Sequence, residues 1–215
     1  MKTETEIADA QAGFRQRITN FRILIHEARK HQQPLYMCFV DFKKAFDSIS
    51  HDKLWVTVMD MGYPIHLIDL LAIIYGKQLA KVKVVGTLSE WFHVKKGARQ
   101  GCVLSPEMVM RETLDGFQGG LQIGGQIVTN LCYVDDIILL ATSEAALQEL
   151  VDRLDRVSRK YSLLINVDKT KVMASDGIAC RILIQNELLE KMDTFPYLGL
   201  WLQKMVSLPR NSVPG

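Results

Sequence analysis

The sequence predicts an α+β fold, a mainly antiparallel sheet with helices packed on one face. Three observations point to it. Helical and strand periodicities are interleaved along the chain, yet hairpins are frequent. Tyr36 to Val40 is a continuous apolar run behind Pro34, the pattern of a strand covered on both faces. Leu147, Leu150, Val151, Leu154, Val157 and Tyr161 fall on one side of a helix, as a helix lying on a sheet requires.

The elements follow in order. Between Gln16 and Lys30, Ile18, Phe21, Ile25 and Ala28 keep helical spacing. After the buried strand, Ser50 is placed to cap a helix through Met61 that Gly62 ends. Pro64 opens another helix, to about Tyr75. Lys81 to Val85 and Trp91 to Lys95 alternate across GTLSE, which predicts a hairpin with one wet face. Ser105-Pro106 starts a helix with Glu107 in its first turn. A glycine-rich stretch from Gly116 to Gly125 follows, then Leu131 to Ala141 as strand, turn, strand. Thr142-Ser143-Glu144 starts the helix of the apolar face. Leu163 to Val167, Lys171 to Met173 and Arg181 to Ile184 are short strand candidates.

Composition sets bounds on function. The 215 residues are 48% hydrophobic and 23% charged, enough for a core without disulfide or metal staples. Twenty-six basic residues against 24 acidic leave a net charge of +2, so charge alone makes no case for nucleic acid. Cys38, Cys102, Cys132 and Cys180 form no C-x-x-C pair, which argues against a zinc ribbon or redox motif. Cys38 and Cys132 sit in apolar runs as buried thiols, pointing to a reducing, intracellular compartment. No stretch approaches the roughly 18 apolar residues of a membrane span, and the polar start MKTETEIADAQ is no signal peptide.

Two places carry unusual charge. In LCYVDDIILL, Leu131 to Leu140, two adjacent carboxylates, Asp135 and Asp136, lie inside an apolar run. Like charges among buried strands repel and lose hydration, so something positive should compensate. A divalent metal suits hard oxygen ligands such as Mg²⁺ takes; a hairpin that happens to turn on Asp-Asp is the plainer alternative. In YMCFVDFKKAFD the apolar strand ends on Asp41, again a carboxylate in need of a partner, unless it caps a helix. Three carboxylates from two strands suit a two-metal site. There, ions about 3.5–4 Å apart activate an attacking hydroxyl and stabilise a leaving pyrophosphate.

FVDFKKAFD, GARQGCVLSP, YVDD, NVDKTK and FPYLG occur in that order. They resemble motifs A to E of reverse transcriptases. The surrounding wording, AGFR near Ala12 and KAFDS near Lys44, is most similar to non-LTR (LINE-type) retrotransposons. The likeness runs from about residue 9 to 202. It implies a polymerase palm at 36–202, a remnant of fingers at 1–35, no thumb, and an unrelated tail at 203–215. The implied reaction is RNA-directed DNA synthesis: transfer of deoxynucleotides from dNTPs to a DNA primer on an RNA template, with Mg²⁺ or Mn²⁺.

The resemblance also implies roles. Asp41, Asp135 and Asp136 would hold the metals. Phe42 and Phe46 belong to the nucleotide pocket. Phe46 stands at the position where a ring excludes a ribose 2′-OH, although core packing accounts for it equally well. Gln100 and Gly101 match the motif B pocket residues; a plain turn is the other reading. Lys169 or Lys171 would donate a proton to the pyrophosphate or neutralise it, with a solvated basic turn as the alternative for each. Phe195 to Gly199 resembles the primer grip, and Arg15 and Arg17 lie where fingers meet template or triphosphate.

The sequence departs from the family at the helix after Ser105-Pro106. That helix is about two turns shorter than in relatives, at roughly 3.6 residues per turn. Cys132 stands where relatives often have Arg, and Val134 where they often have Ala. An inactive retrotransposon remnant, or a nucleic-acid-binding module without chemistry, is therefore the rival expectation.

Overall fold

The computed structural model describes residues 19–43, 51–60, 62–94, 97, 104–133, 136–175, 178–197 and 200–203. Helix α1 (19–30) leads into strand β1 (Tyr36–Val40) and the short β2 (Phe42–Lys43). Helices α2 (His51–Asp60) and α3 (Ile65–Gly76) follow. Next comes an arm of two nested ribbons, β3 (Leu79–Ala80) with β6 (Phe92–His93) and β4 (Lys83–Val84) with β5 (Thr87–Leu88). Helix α4 (Leu104–Leu114), hairpin β7 (Leu121–Ile123) to β8 (Gln126–Val128), and hairpin β9 (Asn130–Tyr133) to β10 (Asp136–Ala141) come next. After helix α5 (Glu144–Lys160), the chain runs through β11 (Leu164–Ile165), β12 (Lys171–Ala174), β13 (Leu183–Ile184), β14 (Glu187–Leu188), β15 (Glu190–Lys191), β16 (Thr194–Tyr197) and β17 (Leu200–Gln203).

Five strands form the central sheet in the order β15-β12-β1-β10-β9. All its pairings are antiparallel except β12 with β15, which is parallel. β1 is in the middle, and all five of its residues are buried, as its unbroken apolar run requires. On one face Tyr36, Cys38 and Val40 join Ile137, Leu139 and Ala141 of β10 under the apolar stripe of α5, with α2 and α4 completing that layer. Ser143 caps α5, its hydroxyl accepting from the Ala146 amide at 3.1 Å. Ion pairs Glu149–Arg153 and Asp155–Arg159 line the helix's outer side.

The second face corrects the expected layering. Met37, Phe39, Ile138, Leu140 and Met173 pack on Phe21, Leu24 and Ala28 of α1 and on Leu121 of β7. Helices therefore cover both faces of the sheet. Periodicity gives a helix its apolar stripe but not the side of the sheet that receives it.

The arm also differs from expectation. Its turn falls at Val85-Gly86 rather than across the whole of GTLSE, and both residues have positive φ, 47° and 85°. That is the primed turn geometry that matches strand twist. Residues 81 to 93 are exposed on both sides, so the alternation of Lys and Val marks no buried face. Helix α3 likewise shows Ile65, Leu70 and Ile73 to solvent, while Ile68 and Tyr75 are buried. Tyr75 meets Trp55 of α2 edge to face, ring centres 5.5 Å apart.

Candidate active site

The site grows from the end of β1. Five apolar residues bring the strand through the core, and Asp41 is the first polar residue past it, partly exposed. Antiparallel pairing with β10 runs from Tyr36 opposite Ala141 to Val40 opposite Ile137. Asp41 follows the last of these pairs, at the same end of the sheet at which Asp136 opens β10. Asp136 pairs across the β9–β10 hairpin with Tyr133. The connecting residues Val134 and Asp135 lie outside the described residues, as do Phe46, Gln100 and Gly101, and Arg15 and Arg17.

A third segment closes on Asp41. β2 pairs with β11, Phe42 opposite Ile165 and Lys43 opposite Leu164. β11 is itself packed under α5 through Ile165. The chain then turns through residues 166 to 170, with the Thr170 amide donating to the Asn166 carbonyl at 2.9 Å. This turn bonds Asp41 three times. The Asn166 amide donates to the Asp41 carbonyl at 2.8 Å. The Asn166 side-chain Nδ2 donates to Asp41 Oδ2 at 3.0 Å. The Asp41 amide donates to Thr170 Oγ1 at 3.2 Å. Asp41 stands between two strands, where no ladder serves its backbone, and these bonds satisfy it.

The two lysines of this segment are separated by the fold. Lys171 begins β12 opposite Phe39, and its Nζ donates to a Glu190 carboxylate oxygen and to the Asp168 carbonyl. Its side chain is 18% exposed, against 64% for that of Glu190, so it is held in place. Lys169 is exposed at the crest of the turn. Phe42 is turned to the interior. It is 7% exposed and packs into the core with Ile165.

In NVDKTK the charges stand out, but it is Asn166 and Thr170 that hold Asp41. Their signal was weak: an Asn at a strand exit reads as an ordinary turn residue, and the partner is 125 residues away. The donor set suits a hard divalent cation. Asp41 offers a carboxylate at a strand end with one oxygen oriented by a neutral amide, and Asp136 opens the adjacent strand at the same end of the sheet.

The described cysteines Cys38, Cys132 and Cys180 are free thiols. Cys38 is buried, as expected of its apolar run; Cys132, expected to be buried as well, is only half-buried, and Cys180 is buried. Burial raises the Cys38 thiol well above its ordinary value, with Cys180 adding to the effect, and Cys180 is pushed up to about 11 by burial and by Glu144. Both stay protonated and unreactive near neutrality. Among the described residues no helix is long and apolar enough to cross a membrane.

A mainly antiparallel sheet layered with helices on both faces, with Asp41 just past one central strand and Asp136 opening its neighbour, makes this an α+β protein. Residues 1–202 match the family described as "Reverse transcriptase (RNA-dependent DNA polymerase)", and the chain belongs to that family. Its curated relatives are polyproteins of non-LTR retrotransposons, the type its motifs resemble. It is 27% identical over 158 residues to the Retrovirus-related Pol polyprotein from type-1 retrotransposable element R2 of Nasonia vitripennis, covering 70% of this chain and 15% of that one. It is 27% identical over 208 residues to the RNA-directed DNA polymerase from mobile element jockey of Drosophila funebris, covering 91% of this chain and 22% of that one. Among solved structures, apo telomerase of Candida tropicalis shares the fold. The TM-score is 0.58 at 16% identity, over 96% of this chain and 40% of that one. The chain thus spans about a fifth or less of the length of these curated relatives.

Proposed function

We propose that residues 36–202 are the palm of an RNA-directed DNA polymerase, with 1–35 belonging to its fingers and 203–215 lying outside it. The observation that carries this reading is that Asp41 follows β1 at the same end of the sheet at which Asp136 opens the adjacent β10, with the Asp41 carboxylate gripped by Asn166. Asp41, Asp135 and Asp136 would hold Mg²⁺ or Mn²⁺. The bound cation supplies charge neutralisation at the primer 3′-oxygen and the pyrophosphate. The chain's own part is positioning: β1 and β10 fix the carboxylates, and Gln100 and Gly101 would seat the deoxynucleoside triphosphate. Phe46 would exclude a ribose 2′-OH. Lys169, exposed beside the Asp41 clamp, suits proton donation to the pyrophosphate better than Lys171, whose ammonium is engaged by Glu190.

The rival reading is an inactive retrotransposon remnant, or a nucleic-acid-binding module without chemistry. It is favoured by α4, which runs only 11 residues from Leu104; a displaced helix would move the nucleotide pocket, and about 1 Å of misplacement costs roughly 100-fold in rate. Primer extension on an RNA template with Mg²⁺ and dNTPs decides between them. The expected outcome is extension by the chain and none by Asp41→Asn or by Asp135→Ala/Asp136→Ala. Salt-sensitive primer–template binding without extension, from folded protein, would establish the rival.

A further inference from the structure

The 166–170 turn does more than connect two strands. It bonds the Asp41 amide, the Asp41 carbonyl and one Asp41 carboxylate oxygen. Thr170 is fully buried, so its hydroxyl is a fixed acceptor and not a mobile surface group. Asn166 is anchored on both sides. Its neighbour Ile165 is buried under α5, and its own carbonyl accepts from the Lys169 and Thr170 amides. A carboxamide anchored in this way brings a neutral donor to Oδ2 at 3.0 Å. Oδ1 carries no hydrogen bond among the described residues. A lysine or arginine in the same place would compete with the cation by charge; an amide orients the carboxylate without cancelling it. Partners one step removed from a metal typically change its affinity 10- to 100-fold when lost.

We infer that Asn166, seated by the turn that ends in Thr170, is a positioning residue that orients Asp41 for divalent-cation binding. The inference rests on the proposed role of Asp41 as a metal ligand. Its test is Mn²⁺ binding to the full chain, followed by the paramagnetic resonance signal of free Mn²⁺, with thermal melting in parallel. Asn166→Ala removes the donor, and Asn166→Leu removes it while keeping the volume. Expected is an Asp41-dependent Mn²⁺ site, absent in Asp41→Asn, that both Asn166 variants weaken roughly 10- to 100-fold at temperatures well below their melting points. In primer extension the same variants should need correspondingly more Mg²⁺ for half-maximal rate and recover when it is supplied, a readout that simple loss of packing would not give. A folded Asn166→Leu or Asn166→Ala protein that binds Mn²⁺ within about twofold of wild type, while Asp41→Asn does not bind, overturns the inference alone. Mn²⁺ binding that Asp41→Asn leaves unchanged, or no binding by the wild-type chain, overturns the reading of Asp41 and the inference with it.

Discussion

Lys169 and Lys171 are two residues apart and equivalent on paper, yet the fold gives them different work. Lys171 is pinned between β12 and β15 by Glu190, while Lys169 projects from the turn that clamps Asp41. Lys171→Ala should lower the melting temperature slightly, since such pairs are worth about 0–1 kcal/mol. Lys169→Ala should leave melting unchanged and slow nucleotide addition by about 100-fold if it donates the proton; pre-steady-state extension beside calorimetry separates the two. Glu112 makes a second residue-level case. Burial raises its carboxyl, but hydrogen bonds from Tyr161 and Lys160 outweigh this and hold it below the ordinary carboxylate range. A carboxylate lowered in the folded state contributes stability above its unfolded value, and that contribution is lost as pH falls through the folded one. Urea midpoints measured from pH 6 down to pH 3 should therefore fall less steeply in Glu112→Gln than in wild type.

Among the elements, the β7–β8 hairpin shows how closely the reverse face of the sheet is fitted. A Cβ on Gly120 would lie 2.7 Å from Ile127 Cγ2, Thr129 Cγ2 and the Val128 carbonyl. Gly120→Ala must therefore push the hairpin away from Leu121 and the α1 side of the core, and a cost of roughly 1–3 kcal/mol is expected in urea unfolding. Elements whose signal is internal were legible in the sequence. β1, β10 and α5 each carry their burial in their own residues, and every residue named on the α5 stripe is buried. The arm was misread for the same reason: alternation records a pattern within a strand, and nothing in that pattern says whether another layer covers it. The parallel pairing of β12 with β15 and the grip of Asn166 on Asp41 are contacts between distant segments, which no local pattern encodes.

At the scale of the molecule, the candidate site is a junction of segments far apart in the chain. Asp41 follows β1, Asp136 opens β10 and Asn166 lies in the loop after β11. The motifs announced which residues belong together; the sheet order explains how they meet, because β1 lies between β10 and β12. That order also has a temporal side. β1 is the central strand with all five residues buried, yet its nearest sheet partner begins at Asp136, roughly a hundred residues later, and its other partner begins at Lys171. On a ribosome releasing about 5–20 residues per second, β1 would wait several seconds as an apolar ribbon with both edges open. Such edges invite pairing with other chains. During synthesis, the strand that becomes the centre of the core is the segment most in need of a chaperone.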